Sequence, residues 1–362
     1  MRLPLLRGLS LDELQDICVE VGLPKFRAGQ VFEWVQAKGA GAWDEMKNVP
    51  AAVRDALAGV LDLSPVEVLK TQVSREDGTR KYLFRLEDGQ TVETVLMLYE
   101  RKVARDRATV CVSTQVGCAM GCAFCATGLG GLVRNLEAGE IVGQVLDIIR
   151  HVRQEDPEFR VTNVVFMGMG EPLQNYANLL SAINLFNSPK GQNIGMRRLT
   201  VSTCGIVPRI LDLARDNPQV TLAISLHSAR DEVRDRLVPM NRHYPLQELM
   251  NACRKYIEIT NRRITFEYAL VKGVNSGTQD ARDLVRLTKD LLCNINLIPV
   301  NAVSETGLER PSEADTAEFA RILSESGVEI SLREEKGSDI DAACGQLRKR
   351  QGGEYLVLNG KV

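Results

Sequence analysis

Three cysteines stand within eight residues at Cys118, Cys122 and Cys125, in the stretch Cys-Ala-Met-Gly-Cys-Ala-Phe-Cys. Thiols at that spacing beside a glycine make a poor core element, which points to metal binding. A tetrahedral zinc site wants four ligands, and no fourth cysteine or histidine lies in this loop. Three ligands suit a four-iron cluster with one iron left open to a small molecule, although protein-bound clusters usually take four cysteines. Packed thiols or a redox pair are the plain alternative. A second stretch, Gly168-Met169-Gly170-Glu171-Pro172, reads by itself as a turn at a strand end. Elsewhere single residues carry weaker signals. Cys111 sits in an alternating strand and reads as a buried small hydrophobe, while Glu93 reads equally well as an exposed strand carboxylate. Cys344, between Ala and Gly, reads as an inert thiol, and His227 as a satisfied core histidine. Cys18, Cys204, Cys253 and Cys293 read as structural, and His151 and His243 have no claim to function.

The elements that must position these residues alternate in type. Candidate strands are ATVCVS, VTNVVFMG, RLTVST, TLAISL, TFEYALV and INLIPV, separated by helix-like stretches such as EAGEIVGQVLDIIRHV, YANLLSAINLF and DARDLVRLTKDLL. About six β/α units imply an α/β fold with a parallel sheet, a barrel or partial barrel whose chemistry sits at the C-terminal ends of the strands. The cysteine triplet and the Gly-Glu stretch follow the first and second of those strands. Upstream, Leu11, Leu14, Cys18 and Val21, then Val31, Val35 and Met46, fall near helical spacing and predict a small helical module. VLKTQV, RKYLFRL and TVETVLML follow as short strands, with hairpin signals at Asp77-Gly78 and Asp88-Gly89.

Composition narrows the setting. The 362 residues carry 45 Lys+Arg against 47 Asp+Glu, a net charge of −2, so a chain-wide basic surface is excluded. Any nucleic-acid partner must be held by local clusters. Candidates are Arg101-Lys102 with Arg105 and Arg107, Arg197-Arg198, Arg230/Arg234/Arg236, Arg262-Arg263 and Arg348-Lys349-Arg350. No apolar run approaches the roughly 18 residues of a membrane span, and no export signal is visible, so a cytoplasmic protein is expected. Nine cysteines in that reducing setting argue against a disulfide framework.

The CxxxCxxC spacing, with an aromatic before its last cysteine, resembles the radical S-adenosylmethionine (SAM) superfamily. Gly168–Pro172 resembles that superfamily's glycine–glutamate element. More of the chain resembles one branch, the RlmN/Cfr family of RNA adenine methyltransferases. The matching stretches are FRAGQVFEWV, VETVLM, RATVCVSTQVGCAMGCAFCATGLGGLVRNLEAGEI, FMGMGEPL, VSTCGIVP, AISLHSARDEVRDRLVPMN, NLIPVN and GSDIDAACGQL, from about residue 26 to 347. QVGCAMGC and the helical module favour the RlmN side over the antibiotic-resistance relative Cfr.

The resemblance implies a radical SAM partial (βα)6 barrel with an N-terminal helical module and a short β-hairpin extension. In residues, these are a helical RNA-binding domain at 1–60, a strand extension at 61–100, the radical SAM core with its catalytic-cysteine loop at 101–347, and a tail at 348–362. It implies one [4Fe-4S] cluster on Cys118, Cys122 and Cys125, and two SAM molecules per turnover, as methyl donor and as radical source. Cys344 would be the methyl carrier, Cys111 the resolving thiol and Glu93 the proton acceptor. Gly170 and Glu171 would take SAM's amino group and Ser202 its carboxylate side, with Ser225, Leu226, His227 and Asn301 along ribose and adenine. The implied substrates are 23S rRNA, at carbon 2 of adenine 2503, and tRNAs at the adenine next to the anticodon. A flavodoxin-type reductant, no membrane partner and a monomeric enzyme complete the expectation. Two rivals stand beside it: Cfr-like methylation of carbon 8, and a non-catalytic iron–sulfur RNA-binding protein.

Overall fold

The computed structural model describes residues 3–99, 107–301, 306–334 and 336–347, with the short strand pairs at 350–351 and 354–355. The chain opens with a capping box: Ser10 Oγ accepts from Glu13 N (3.2 Å) and Glu13 Oε2 accepts from Ser10 N (2.8 Å), starting α1 (Leu11–Glu20). Its Leu14 and Cys18 face inward against α2 (Phe26–Gln36) and the core residues of α3 (Ala51–Ala58). The period then switches to two. Strands β1 (Glu67–Val73), β2 (Arg80–Arg85) and β3 (Thr91–Tyr99) pair as an antiparallel meander. Because β3 also pairs antiparallel with β4 (Arg107–Cys111), the extension is three strands continuous with the barrel sheet rather than a detached hairpin.

A small hairpin, β5 (Gln115–Gly117) with β6 (Leu132–Asn135), brackets the cysteine loop. The alternating units follow: α4 (Ala138–Val152), β7 (Asn163–Phe166), α5 (Tyr176–Asn187), β8 (Leu199–Thr203), α6 (Val207–Asp216), β9 (Thr221–Ser225), α7 (Asp231–Leu237), α8 (Leu246–Thr260), β10 (Ile264–Leu270), α9 (Thr278–Thr288), β11 (Cys293–Pro299), α10 (Glu313–Glu325) and β12 (Ile330–Leu332). Sheet order is β1-β2-β3-β4-β7-β8-β9-β10-β11-β12, parallel from β4 onward. The six candidate strands of the sequence are β4 and β7 to β11. They bury nearly continuous apolar runs, as parallel strands covered on both faces must. The seventh parallel strand, β12, escapes sequence reading because it is three residues long and largely exposed. Among the described residues no helix is long and apolar enough to cross a membrane.

The helical module is clamped to the barrel through α4. A Cβ on Gly139 would stand 2.8 Å from Leu5 Cβ, and one on Gly143 would stand 2.9 Å from Val66 Cγ2, so only glycine permits this approach. Beside them Arg7 Nη1 meets Asp147 Oδ2 at 2.6 Å with both side chains buried. The same oxygen accepts from Val66 N, and Gln36 Nε2 donates to the Arg7 carbonyl. A buried pair of this kind is costly to break from one side, which fixes the module's placement.

Candidate active site

The cysteine loop opens onto a cavity of about 920 Å³ at the C-terminal ends of the parallel strands, and Cys118, Cys122 and Cys125 all line it. The loop is roofed by a separate apolar cluster of Met120, Cys204, Val233, Leu237 and Val238, and Ala123 N donates to Leu237 O. Burial pushes the Cys118 thiol up to about 12 and the Cys122 thiol well above its usual range. Among the described residues no three Cys, His, Asp or Glu side chains converge closely enough for one metal ion. Thiols that share a cavity without meeting at a point fit an iron–sulfur cluster, in which each takes a different iron, better than a single zinc.

The stretch after β7 is built by close backbone approach. A Cβ on Gly168 would lie 2.6 Å from Val112 O; Gly170, at φ +105°, would place one 2.5 Å from Gln115 Cβ. Glu171 is thereby held at the cavity wall. Its carboxylate accepts from Leu173 N (3.0 Å) and Cys204 N (2.8 Å), and burial raises its pKa despite those bonds. A buried carboxylate in that state is matched by a ligand ammonium. Ser202 at the end of β8 and Ser225 and His227 at the end of β9 line the same cavity. Leu226, between the last two, turns its side chain into the main core and is not part of the cavity lining; its N–H donates to Glu267 O and its carbonyl accepts from Arg234 Nε. Arg234, read above as part of a basic cluster, is fully buried. It donates to the carbonyls of Cys204 (2.7 Å), Ser225 (3.1 Å) and Leu226 (3.0 Å), so it braces the strand ends instead of facing RNA.

His227 takes a left-handed backbone (φ +58°), accepts from Ala269 N at Nδ1 and packs edge-on against Phe124. With Nδ1 accepting, the neutral ring carries its proton on Nε2. Burial, with the nearby Arg234 charge, lowers its pKa to about 3. The unfolded ring titrates near ~6.5. The stability this gives is therefore complete above pH ~6.5 and drains as pH falls toward 3, by up to about 1.4 kcal/mol per pH unit. Urea midpoints should fall more steeply between pH 6.5 and 5 for the parent than for His227→Gln; parallel curves would show that the histidine is free to charge.

Cys344 lines the first cavity and also a second of about 560 Å³, whose walls include Cys111 and Val95, Met97 and Tyr99 of β3. Both cysteines are free thiols. Burial raises both, Cys111 to about 12, while the Arg333 charge opposes the rise. The loop carrying Cys344 is stitched to the cysteine loop: Ala126 N donates to Gly345 O (2.7 Å) and Thr127 Oγ1 to Leu347 O (2.6 Å). Asn301 Nδ2 adds a bond to the Cys344 carbonyl (2.9 Å).

Glu93 is buried, contrary to the exposed-carboxylate reading. It shares the β3 face of Val95 and Met97 but lines neither cavity. Lys81 Nζ lies 3.6 Å from its Oε1 and donates to Asp341 O, linking Glu93 to the Cys344 loop. Sequence reasoning missed Lys81, Cys204, Glu267 and Arg333. Cys204 lines the first cavity and hydrogen-bonds Glu171. Glu267 had a signal, a lone carboxylate inside the apolar run TFEYALV; Arg333 had none.

Of the basic clusters, Arg230 is paired with Asp280 (2.6 Å) and Arg263 with Glu329. Arg101, Lys102 and Arg105, and the side chains of 348–350, lie outside the described residues. Arg107 and Arg198 join Arg153 and Arg160 around a groove at the opposite ends of the strands.

Comparison with known proteins agrees with this architecture. Residues 112–288 match the radical SAM superfamily, and residues 5–63 match the ribosomal RNA large subunit methyltransferase N-terminal domain. The chain is 58% identical over 344 residues to the probable dual-specificity RNA methyltransferase RlmN of Desulfitobacterium hafniense (strain Y51), covering 95% of this chain and 96% of that one. It is 49% identical over 343 residues to the protein of the same description from Moorella thermoacetica, with coverage of 95% and 96%. A crystal structure of a radical SAM methyltransferase from Sphaerobacter thermophilus superposes with a TM-score of 0.90 at 47% identity, covering 95% of this chain and 99% of that chain. With a helical module, a thiol-lined barrel mouth and near-full-length identity of this order, the chain belongs to the RlmN family of radical SAM RNA methyltransferases.

Proposed function

We propose that this enzyme methylates carbon 2 of adenine 2503 in 23S rRNA and of the adenine next to the anticodon in tRNAs. One observation carries the reading. Cys344 stands in a wall shared by two cavities, with the thiol triplet on one side and Cys111 on the other. Carbon 2 is an electron-poor amidine carbon, so it cannot attack a methyl donor as a nucleophile, whereas a carbon radical can add to it. When bound at Cys118, Cys122 and Cys125, a [4Fe-4S] cluster supplies the electron that cleaves SAM to a deoxyadenosyl radical. The chain's own residues do the rest. Cys344 first accepts a methyl group from one SAM as a thioether. Loss of a hydrogen atom from that methyl then leaves a carbon radical on the side chain, which adds to the ring. Glu93, on the face that continues the Cys111 cavity, takes the carbon 2 proton with Lys81 balancing its charge. Cys111, as the thiolate, attacks the Cys344 sulfur; the S–C bond breaks with its electron pair on the methylene carbon, which takes up a proton to become the product methyl. A Cys111–Cys344 disulfide closes, and the one electron left over from the radical adduct returns to the redox partner.

Gly170 and Glu171 hold the amino group of SAM, Ser202 its carboxylate side, and Ser225, His227 and Asn301 its ribose and adenine. Two SAM molecules are used per turnover. A flavodoxin-type protein reduces the cluster, and the enzyme works as a cytoplasmic monomer. The target base must leave its stack to reach the barrel mouth. The test is anaerobic reconstitution with SAM and RNA followed by mass spectrometry of the nucleosides. 2-Methyladenosine is the expected product; 8-methyladenosine alone would overturn the assignment.

A further inference from the structure

Arg333 follows β12, and its N–H donates to Leu297 O (2.9 Å), which anchors it beside β11. Its side chain lines both cavities, in the same shared wall as Met167, Ile298, Asn301 and Cys344. Among the described residues its one ion-pair partner is Glu267, at 3.8 Å, beyond hydrogen-bond length. Glu267 is itself held by Asn296 Nδ2 at 2.8 Å. The guanidinium makes no side-chain hydrogen bond to any described residue, although three-quarters of the side chain is covered (25% exposed). A guanidinium has five N–H donors in a fixed planar fork and no acceptor. None of those donors is sealed away from solvent; they are open to the two cavities the side chain lines, where a ligand rich in acceptors can take them.

The space beside Cys344 must admit the base that receives the methylene. The carbon of adenine under attack is flanked by ring nitrogens with free lone pairs, N1 and N3 around carbon 2, or N7 beside carbon 8. Donation to such a nitrogen draws electron density from the carbon between, which favours addition of a carbon radical. It also holds the ring at a fixed distance from the Cys344 sulfur. The methionine end of SAM is a poorer claimant, because Glu171 and Ser202 lie on the first cavity alone whereas Arg333 reaches the Cys111 side.

Resting on the RNA-methylating reading above, we propose that the Arg333 guanidinium, braced by Glu267, donates a hydrogen bond to the adenine ring nitrogen adjacent to the carbon attacked from Cys344. Arg333 is on this view a catalytic residue that touches substrate, and Glu267 a positioning residue behind it.

The test couples enzyme and substrate changes. Single-turnover methylation is measured for the parent and for Arg333→Met on RNA carrying adenine, 1-deazaadenine, 3-deazaadenine or 7-deazaadenine at the target. Loss of one charge-assisted hydrogen bond corresponds to about 10- to 100-fold in rate. In the parent, one deaza analogue flanking the attacked carbon should lose about that factor. With Arg333→Met, natural RNA should lose a similar factor, and the same analogue should lose nothing further. Formation of S-methyl-Cys344, followed by peptide mass spectrometry, should fall less than the RNA step. If Arg333→Met loads iron poorly, Arg333→Lys carries the same cycle, since it keeps the charge without the fork. Strictly multiplicative losses, or equal losses in S-methylation and RNA methylation, would overturn the proposal: the first puts Arg333 off the ring, the second assigns it to the thiol. A product methylated at carbon 8 would sink the carbon 2 reading alone, because the 7-deaza arm then reads the same contact.

Discussion

Replacing Cys111 by Ala should yield a protein–RNA species that survives denaturant and retains methylene-bridged RNA on Cys344. On the route proposed above, carbon 2 becomes joined to the Cys344 sulfur through the methylene, and release then needs a second thiol to take that sulfur. Cys111 shares the cavity wall with Cys344, and both are free thiols. A disulfide demands Cβ atoms about 4 Å apart, and the two thiols line one cavity. Formation of the trapped species should need Cys344 and an intact cluster, so the double variant Cys111→Ala/Cys344→Ala gives no band on a denaturing gel. Cys344→Ala alone should give neither adduct nor methylated RNA. If Cys111 were only a packed core residue, the substitution would cost about 1–2 kcal/mol of stability and leave turnover near normal. Full methylation without crosslinked RNA would decide for that simpler role.

Replacing Cys122 by Ala should abolish SAM cleavage and leave Cys344 unmethylated in protein isolated from an expressing cell. Burial disfavours the free thiolate at this site, and a bound iron is what would favour it. Anaerobically purified parent should be brown with about four irons per chain, the content of that cluster type. Iron and visible absorbance should be lost in the triple variant Cys118→Ala/Cys122→Ala/Cys125→Ala. Iron retained at full stoichiometry in the triple variant would remove the three thiols from the cluster. A methyl group found on a cysteine other than Cys344 in the parent would move the carrier.

Much of this was open to reading from the chain because parallel strands bury both faces. Runs such as VTNVVFMG and TLAISL announce themselves by composition, and their C-terminal ends locate the site. The cysteine spacing marks, in the same local way, three thiols that line the first cavity together. Legibility stopped where meaning depends on distant partners. Glu93 looks like any strand carboxylate until β2 brings Lys81 against it. Leu226 and His227 are neighbours in sequence, yet one turns to the core and the other to the cavity because His227 adopts a left-handed backbone. Arg234 belonged to a basic run by sequence, but three buried carbonyls claim its donors. Arg333 has no local pattern at all. Its significance arises only when β12 pairs with β11 and sets it between two cysteines that the chain keeps far apart.

The bond from Thr127 to Leu347 spans 220 positions of the chain. Synthesis runs from the N-terminus, at about 5–20 residues per second, so the segment around Cys344 leaves the ribosome on the order of 10 to 40 s after the cysteine loop. All six strand–helix units precede it. Until it emerges, Ala126 N and Thr127 Oγ1 of the cysteine loop lack the carbonyls of Gly345 and Leu347 to which they later donate. The late segment supplies both carbonyls together, so the Cys344 loop is the last wall of the two shared cavities to be set.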